Sequence, residues 1–160
     1  LDDEEYCALV AAMAPHVGGI DVEIRRDGSS ALIEDAHAAG ALVIGSFHDF
    51  EGTPSDDQLA EVLADMNYAG ADVLKFACMA HSATDAARVL GAQAWAHDAY
   101  DRPVIGIAMG QHGAPTRLVG SALGSAATFA TLPGAEGSAP GQFTIEQARA
   151  VLDIVEGSEA

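Results

Sequence analysis

The middle of the chain carries an apolar run, ADVLKFAC at residues 71–78, which contains the only lysine of the 160 residues, Lys75. Short runs rich in branched and aromatic side chains are typical of buried strands. Alternation along a strand puts Lys75 on one face and the bulkier Leu74, Phe76 and Cys78 on the other. We therefore expect a strand whose bulky face packs against helices and whose opposite face carries the amine.

Further apolar runs alternate with helical patterns on both sides of this strand. The predicted strands span residues 19–25, 41–47, 72–78, 103–109 and 126–132, and the predicted helices span about 3–15, 29–39, 55–68, 83–99, 116–123 and 144–156. Regular alternation of this kind indicates βα units and a parallel sheet. A parallel sheet with helices is either an open doubly wound sheet or a (β/α)8 barrel.

Polar residues at the ends of the predicted strands favour the barrel. His48 and Asp49 end the second strand, Gln111 follows the fourth, and a polar loop at 138–142 follows the fifth. Loops at the carboxyl ends of barrel strands form the active face, whereas no GxGxxG phosphate fingerprint follows any strand here. The sequence therefore predicts an α/β protein of the (β/α)8 TIM-barrel type, with residues 1–160 in a single domain.

Acidic residues dominate the charge of the chain, with 24 Asp and Glu against 7 Lys and Arg and a net charge of −17. Such a charge repels nucleic acid and anionic membranes, so we expect neither as a partner. The bias fits adaptation to high salt and fits a GC-rich genome equally well. Cys7 and Cys78 lack CxxC spacing and no run approaches the ~18 apolar residues of a membrane span, which predicts reduced thiols in a cytoplasmic protein.

Lys75 stands where an ordinary surface lysine would not be placed. An amine in a poorly solvated site loses its preference for the charged form, and the free base can attack a carbonyl to give an imine. A lysine that reaches solvent from a strand edge, or that neutralises a structural acid, fits the run equally well. Asp21, Glu23 and Arg25 share one face of the first predicted strand. Because unpaired burial of charge is costly, we expect a linked polar network that includes Lys75.

Several short segments then occur in a particular order. They are SFHDF at 46–50, VLKFA at 73–77, MAHSATD at 79–85, RPVI at 102–105, TRL at 116–118, GSAATF at 124–129 and SAPGQ at 138–142. These segments resemble consecutive motifs of type I 3-dehydroquinate dehydratase. A lone His-Asp pair would not be specific, but the ordered set around an embedded lysine is.

The resemblance implies a TIM barrel of which this chain holds about the last five βα units, the C-terminal portion. It implies that the earlier strands would carry further substrate-binding Arg and Glu residues and the carboxylate that tunes the catalytic histidine. It also implies imine-mediated elimination of water from 3-dehydroquinate to give 3-dehydroshikimate in the shikimate pathway of aromatic amino acid biosynthesis. The reaction on this small-molecule substrate would need no metal and no organic cofactor.

Specific residues take roles by the same resemblance. Lys75 would form the Schiff base, and His48 would serve as general acid and base, a duty that suits an imidazole. Residues that would hold the substrate carboxylate and hydroxyls are Arg117, Ser138 and Gln142. Apolar residues expected around the pocket, or equally in the core, are Met109, Phe129 and Phe50.

Two other interpretations of the chain stay open. One is a different Schiff-base-forming lyase of the class I aldolase type, which would act on sugar-like carbonyl compounds. The other is a non-catalytic barrel fragment that keeps the motifs without a complete pocket. Because a partial barrel leaves two strand edges exposed, pairing with a second copy in a homodimer is a further expectation.

Overall fold

In the part of the chain that the structure describes, four parallel strands form one sheet in the order β1-β2-β3-β4. They are β1 (Gly19–Glu23), β2 (Leu42–Asp49), β3 (Val73–Met79) and β4 (Val104–Met109). The computed structural model describes residues 1–135 and 137–157. Each strand lies beside the next one in the chain and is joined to it by a helix, which confirms the predicted α/β class and its βα units.

The described residues form six α-helices. They are α1 (Asp3–Met13), α2 (Ser29–Ala38), α3 (Asp56–Tyr68), α4 (Ala83–Ala99), α5 (Ala114–Val119) and α6 (Ile145–Val155), with 3-10 turns at Ala14–His16, Gln111–Gly113 and Gly120–Leu123. The Ser55 side chain accepts a hydrogen bond from the backbone N–H of Gln58 at the start of α3, and Thr144 does the same for Gln147 at the start of α6. Each helix therefore begins with a capping box, in which a short polar side chain binds a free backbone N–H of the first turn.

The sheet separates two apolar layers. Leu74, Phe76 and Cys78 of β3 are fully buried in the larger core, together with side chains of α2, α3 and α4. Burial of each such large side chain stabilises the fold by about 1.5–3 kcal/mol. The opposite face carries a smaller cluster that includes Ala77 and Met109. The predicted division of β3 into a bulky helix-facing side and a second side with Lys75 is confirmed.

A carboxylate fixes the amino ends of β2 and β3. The Asp72 side chain accepts hydrogen bonds from the backbone N–H of Val43 at 2.8 Å and from Nε2 of His37 at 2.9 Å, and Arg102 lies 3.7 Å away. Burial raises the pKa of Asp72, but the bonds from Val43 and His37 outweigh it, so the net pKa lies below its ordinary value. The acid ties two strands, helix α2 and the segment before β4 together.

The predicted fifth strand at 126–132 is wrong. In the described part of the chain, this region makes only isolated bridges, from Ser125 to Val104 and from Thr131 to Thr144. One cause lies at the edge of β4, where the backbone N–H of Ala108 donates to the Thr116 hydroxyl at 2.9 Å. A fifth strand would need that donor for its own ladder, and the side chain has taken it.

The prediction that Arg25 shares a strand face with Asp21 and Glu23 is also wrong. The β1 strand ends at Glu23 and the chain turns, so Arg25 pairs with Asp65 of α3 at 3.1 Å. Alternation of side chains holds only while the strand continues. Among the described residues, no helix is long and apolar enough to cross a membrane.

Candidate active site

A cavity of about 180 Å3 opens at the carboxyl ends of the strands. It is lined by His48, Phe50, Lys75, Ala77, Ile107, Met109, Arg117, Phe129, Ser138, Ala139 and Gln142. Every residue that the sequence indicated for a site is among them, although they come from β2, β3, β4, α5 and two later loops. Their roles stay predictions, but their proximity is a feature of the fold.

Lys75 projects from β3 into this cavity, and its side chain is only 12% exposed. Its Nζ lies 2.8 Å from Oδ2 of Asp21 on β1. The other carboxylate oxygen of Asp21 accepts a hydrogen bond from the hydroxyl of Ser46, a fully buried residue of β2. The Phe129 ring covers the amine, with 5.4 Å between Nζ and the ring centroid. The amine is therefore held by a carboxylate on one side and an aromatic ring nearby.

His48 lies near the end of β2 and is held by a carboxylate of its own. Its Nδ1 is 2.7 Å from Oε2 of Glu23, and its ring stacks on Phe50 with 5.9 Å between centroids. A carboxylate accepts this bond from the Nδ1 N–H, and Nε2 is the ring nitrogen that Glu23 does not occupy. The backbone N–H of Glu23 donates to the Tyr6 hydroxyl at 2.9 Å, which anchors the acid to α1. Burial raises the pKa of that tyrosine.

Arg117 is a buried cation, with 3% of its surface exposed. Its Nη2 donates a long hydrogen bond of 3.4 Å to the carbonyl of Pro140, and its Nε has no hydrogen-bond partner in the described part of the chain. Burial lowers the pKa of its guanidinium. A guanidinium in such a place can bind an incoming carboxylate through two parallel hydrogen bonds.

The loop at 138–142 covers one side of the cavity. Gln142 accepts from the backbone N–H of Ser138 and donates to the Ser138 hydroxyl, both at 2.9 Å. The carbonyl of Pro140 also accepts from the backbone N–H of Gly110 at 3.2 Å. Gly141 has a φ of +80°, and a Cβ there would lie 2.6 Å from the Gly110 oxygen. Only glycine lets this loop approach the end of β4 so closely.

Other reactive side chains do not join the site. Nε2 of His81 contacts the carbonyl of Glu51 at 2.8 Å, so this histidine links two loops. Burial, and then the charge of Asp49, raises the pKa of the Cys78 thiol to about 12, which rules it out as a nucleophile near neutral pH. Within residues 1–135 and 137–157, no three His, Cys, Asp or Glu side chains are grouped as metal ligands.

The resemblance implies that an earlier strand would carry the carboxylate beside the catalytic histidine, but in this structure Glu23 of β1 contacts His48. The sequence did place Asp21 and Glu23 on one face of β1 and in a network with Lys75, and the Lys75–Asp21 pair is present. The sequence alone does not show which side chain each of these acids contacts. In the sheet, Glu23 lies beside Ser46 of β2, which puts its side chain next to His48, two residues further on.

The arrangement joins three chemical capacities around one cavity. An amine can add to a carbonyl, an imidazole can take and return a proton, and a buried guanidinium can orient an anion. Apolar side chains of β4, including Ile107 and Met109, form part of the wall. Such a site suits a small, carboxylate-bearing carbonyl compound.

Comparison with known proteins gives a consistent picture. A family model described as type I 3-dehydroquinase matches residues 1–159. A 3-dehydroquinate dehydratase of Klebsiella pneumoniae is 41% identical over 160 residues, which cover 97% of this chain and 63% of that protein. One from Bacillus subtilis is 36% identical over 160 residues, 97% of this chain and 62% of that protein. The chain thus spans somewhat under two thirds of the length of these relatives.

Solved structures are similar over the whole chain. The crystal structure of 3-dehydroquinate dehydratase from Geobacillus kaustophilus matches with a TM-score of 0.91 and 32% identity, covering 100% of this chain and 63% of that one. A type I enzyme from Clostridium difficile, solved with covalently modified comenic acid, matches with a TM-score of 0.89 and 31% identity, covering 99% and 64%. The four-stranded sheet thus matches part of their TIM-barrel fold, which confirms the predicted fold class.

Proposed function

Because the chain belongs to the type I 3-dehydroquinase family, we propose that its protein eliminates water from 3-dehydroquinate to give 3-dehydroshikimate through an imine on Lys75. One observation carries this proposal. The amine, His48 and the buried cation Arg117 line the same cavity, although they lie 27 to 69 positions apart in the chain. Under this proposal the protein is a hydro-lyase of the shikimate pathway.

The proposed reaction assigns each group a step. Lys75 adds through Nζ to the ketone of the substrate, and water leaves to give an iminium. His48 then removes a proton from the adjacent carbon, and the electrons move into the iminium to give an enamine. The enamine expels the hydroxyl group of the next carbon, which leaves as water with a proton from His48. Hydrolysis of the remaining iminium frees the product and the amine.

Binding of the substrate carboxylate is assigned to Arg117, and of its hydroxyl groups to Ser138 and Gln142. The guanidinium has no carboxylate partner within hydrogen-bond distance in the described residues, so it is free to hold one from outside. This free guanidinium suits a substrate that carries a carboxylate, as 3-dehydroquinate does. Ser138 and Gln142 bond each other in this structure, and we propose that they exchange these bonds for bonds to the substrate.

Two variants test the proposal through turnover, measured by the ultraviolet absorbance of the conjugated product. Lys75→Ala should abolish turnover and leave the fold intact, because it removes an amine and little core volume. His48→Ala should still form some imine with 3-dehydroquinate while proton removal and product release slow down. Retained turnover in Lys75→Ala would refute the imine, and unchanged rates in His48→Ala would show that another group is the base.

Three expectations accompany this function as proposals. Residues 1–160 form one domain, the C-terminal portion of a TIM barrel. The protein works in the cytoplasm with no metal or organic cofactor. Two copies form a homodimer, which light scattering at several protein concentrations tests directly.

A further inference from the structure

An ion pair holds the amine that the proposed function uses as nucleophile. Nζ of Lys75 lies 2.8 Å from Oδ2 of Asp21, and the Lys75 side chain is 12% exposed. A neighbouring carboxylate favours the charged form of an amine, and an ammonium cannot attack a carbonyl. The roles proposed for Lys75 and His48 do not explain why a carboxylate lies beside the amine.

The carboxylate of Asp21 is held so that one oxygen faces the amine. The hydroxyl of Ser46 donates to Oδ1, which leaves Oδ2 for Lys75. Ser46 is fully buried and lies beside Lys75 in the register of β2 and β3. The three side chains come from three adjacent strands, so rigid backbone fixes their spacing rather than a mobile loop.

Other charged groups near the cavity do not contact the amine. Glu23 of β1 contacts His48 of β2 instead. Arg117 of α5, which lines the cavity, is a cation. The β4 strand presents the apolar residues Ile105, Ile107 and Met109 on this face. Within residues 1–135 and 137–157, the only acid within ion-pair distance of Nζ is Asp21.

We propose that Asp21 is the counter-ion of the reacting nitrogen, both as the resting ammonium and as the iminium, with Ser46 as the residue that positions it. The inference rests on the proposed function. Condensation of R–NH3+ with a ketone gives R–NH+=C and one water, so the nitrogen carries one positive charge before and after. The iminium keeps an N–H that can donate to Oδ2 in place of the ammonium N–H. Asp21 is not consumed, and it lowers the energy of the charged forms on both sides of imine formation.

The chain offers a direct test because a lysine label can react with only one side chain, Lys75. The experiment measures the rate of acetylation of Lys75 by trace isotope-labelled acetic anhydride across a pH series, with peptide mapping to separate the terminal amine. Acetylation needs the free amine and no substrate. In Asp21→Asn, which keeps the shape and loses the charge, the pH at which the rate reaches half its plateau should fall by roughly one unit or more.

Matched variants separate the counter-ion from a general change in the site. Glu23→Gln removes the neighbouring carboxylate that contacts His48, so it should leave the acetylation midpoint of Lys75 in place. Ser46→Ala should move the midpoint in the same direction as Asp21→Asn but by less. Asp21→Glu restores the charge and should move the midpoint back toward that of the unchanged chain. An unchanged midpoint in Asp21→Asn would overturn the proposal.

A second arm follows the iminium itself, with 3-dehydroquinate as the probe and borohydride as the trap. At a pH where both proteins acetylate at their plateau rates, Asp21→Asn should yield about tenfold less trapped adduct than the unchanged chain. Equal yields would overturn the iminium part of the proposal. A shifted midpoint with no adduct in either protein would support the ion pair in the free protein, and the proposed function would fail instead.

Discussion

Replacement of Arg117 by methionine should raise the stability of the chain and lower its affinity for the proposed substrate. Arg117 is 3% exposed. Among the described residues its Nε has no partner, and its guanidinium makes one hydrogen bond, of 3.4 Å, to the Pro140 carbonyl. A buried charge without a counter-ion is costly, and even apolar replacement of a buried ion pair is often neutral or stabilising by about 1–4 kcal/mol. We expect the free energy of unfolding of Arg117→Met to rise by about 1 kcal/mol or more, measured by urea denaturation.

The same change should remove the group that binds the carboxylate. Hydrogen bonds to charged groups contribute about 1.5–3 kcal/mol each, so loss of a two-bond pair costs about 3–6 kcal/mol. Affinity for 3-dehydroquinate should then fall by about 10²-fold to 10⁴-fold, measured by calorimetry or as KM.

An exposed arginine provides the control. Arg149→Met on α6 should change neither the free energy of unfolding by more than about 0.5 kcal/mol nor the affinity for substrate. Lower stability of Arg117→Met together with unaltered affinity would refute this role of Arg117. That result would mean that the guanidinium is a structural partner rather than a substrate site.

Three further expectations concern the base, the packing at β4 and acid stability. Glu23→Gln should lower kcat about 10²-fold with little change in KM in steady-state kinetics, because the ring of His48 loses the carboxylate that orients it. An unchanged kcat with a raised KM would contradict this. Gly113→Ala should lower the free energy of unfolding by about 1–3 kcal/mol, because the new Cβ would lie 1.9 Å from a carbonyl oxygen of β4. Gly91→Ala is the control: a Cβ there would meet nothing within 4 Å, so this variant should not destabilise α4. Similar urea midpoints for the two variants would contradict the close packing at Gly113. The pKa of Asp72 is lowered in the folded state, so Asp72 stabilises the fold at a pH above its unfolded pKa of about 4, and this stabilisation is lost as the pH falls through the folded pKa. In an acid titration, the free energy of unfolding of Asp72→Asn should therefore fall by less than that of the unchanged chain.

Local pattern was enough to predict the faces of β3. The period of two is a property of any extended backbone, so Leu74, Phe76 and Cys78 had to share the side opposite Lys75. The helix starts were equally local, because a cap needs only a polar side chain and an N–H three residues later. These features depend on sequence neighbours, which the sequence displays directly.

Contacts between distant segments were harder to foresee. The bond from Ala108 to the Thr116 hydroxyl that replaces a fifth strand depends on where α5 packs. The contact between Glu23 and His48 depends on which strands are adjacent and in what register. Neither follows from the periodicity of a single segment, so the candidate site could be predicted as a set of residues but not as a set of bonds.

The central claim is that Lys75 forms an imine with 3-dehydroquinate. Incubation of the chain with substrate and borohydride, followed by intact-mass measurement and peptide mapping, tests it directly, because reduction converts an imine into a stable amine. We expect one adduct, on the peptide that carries Lys75, and none in Lys75→Ala. Turnover of substrate without any adduct on Lys75 would contradict the claim.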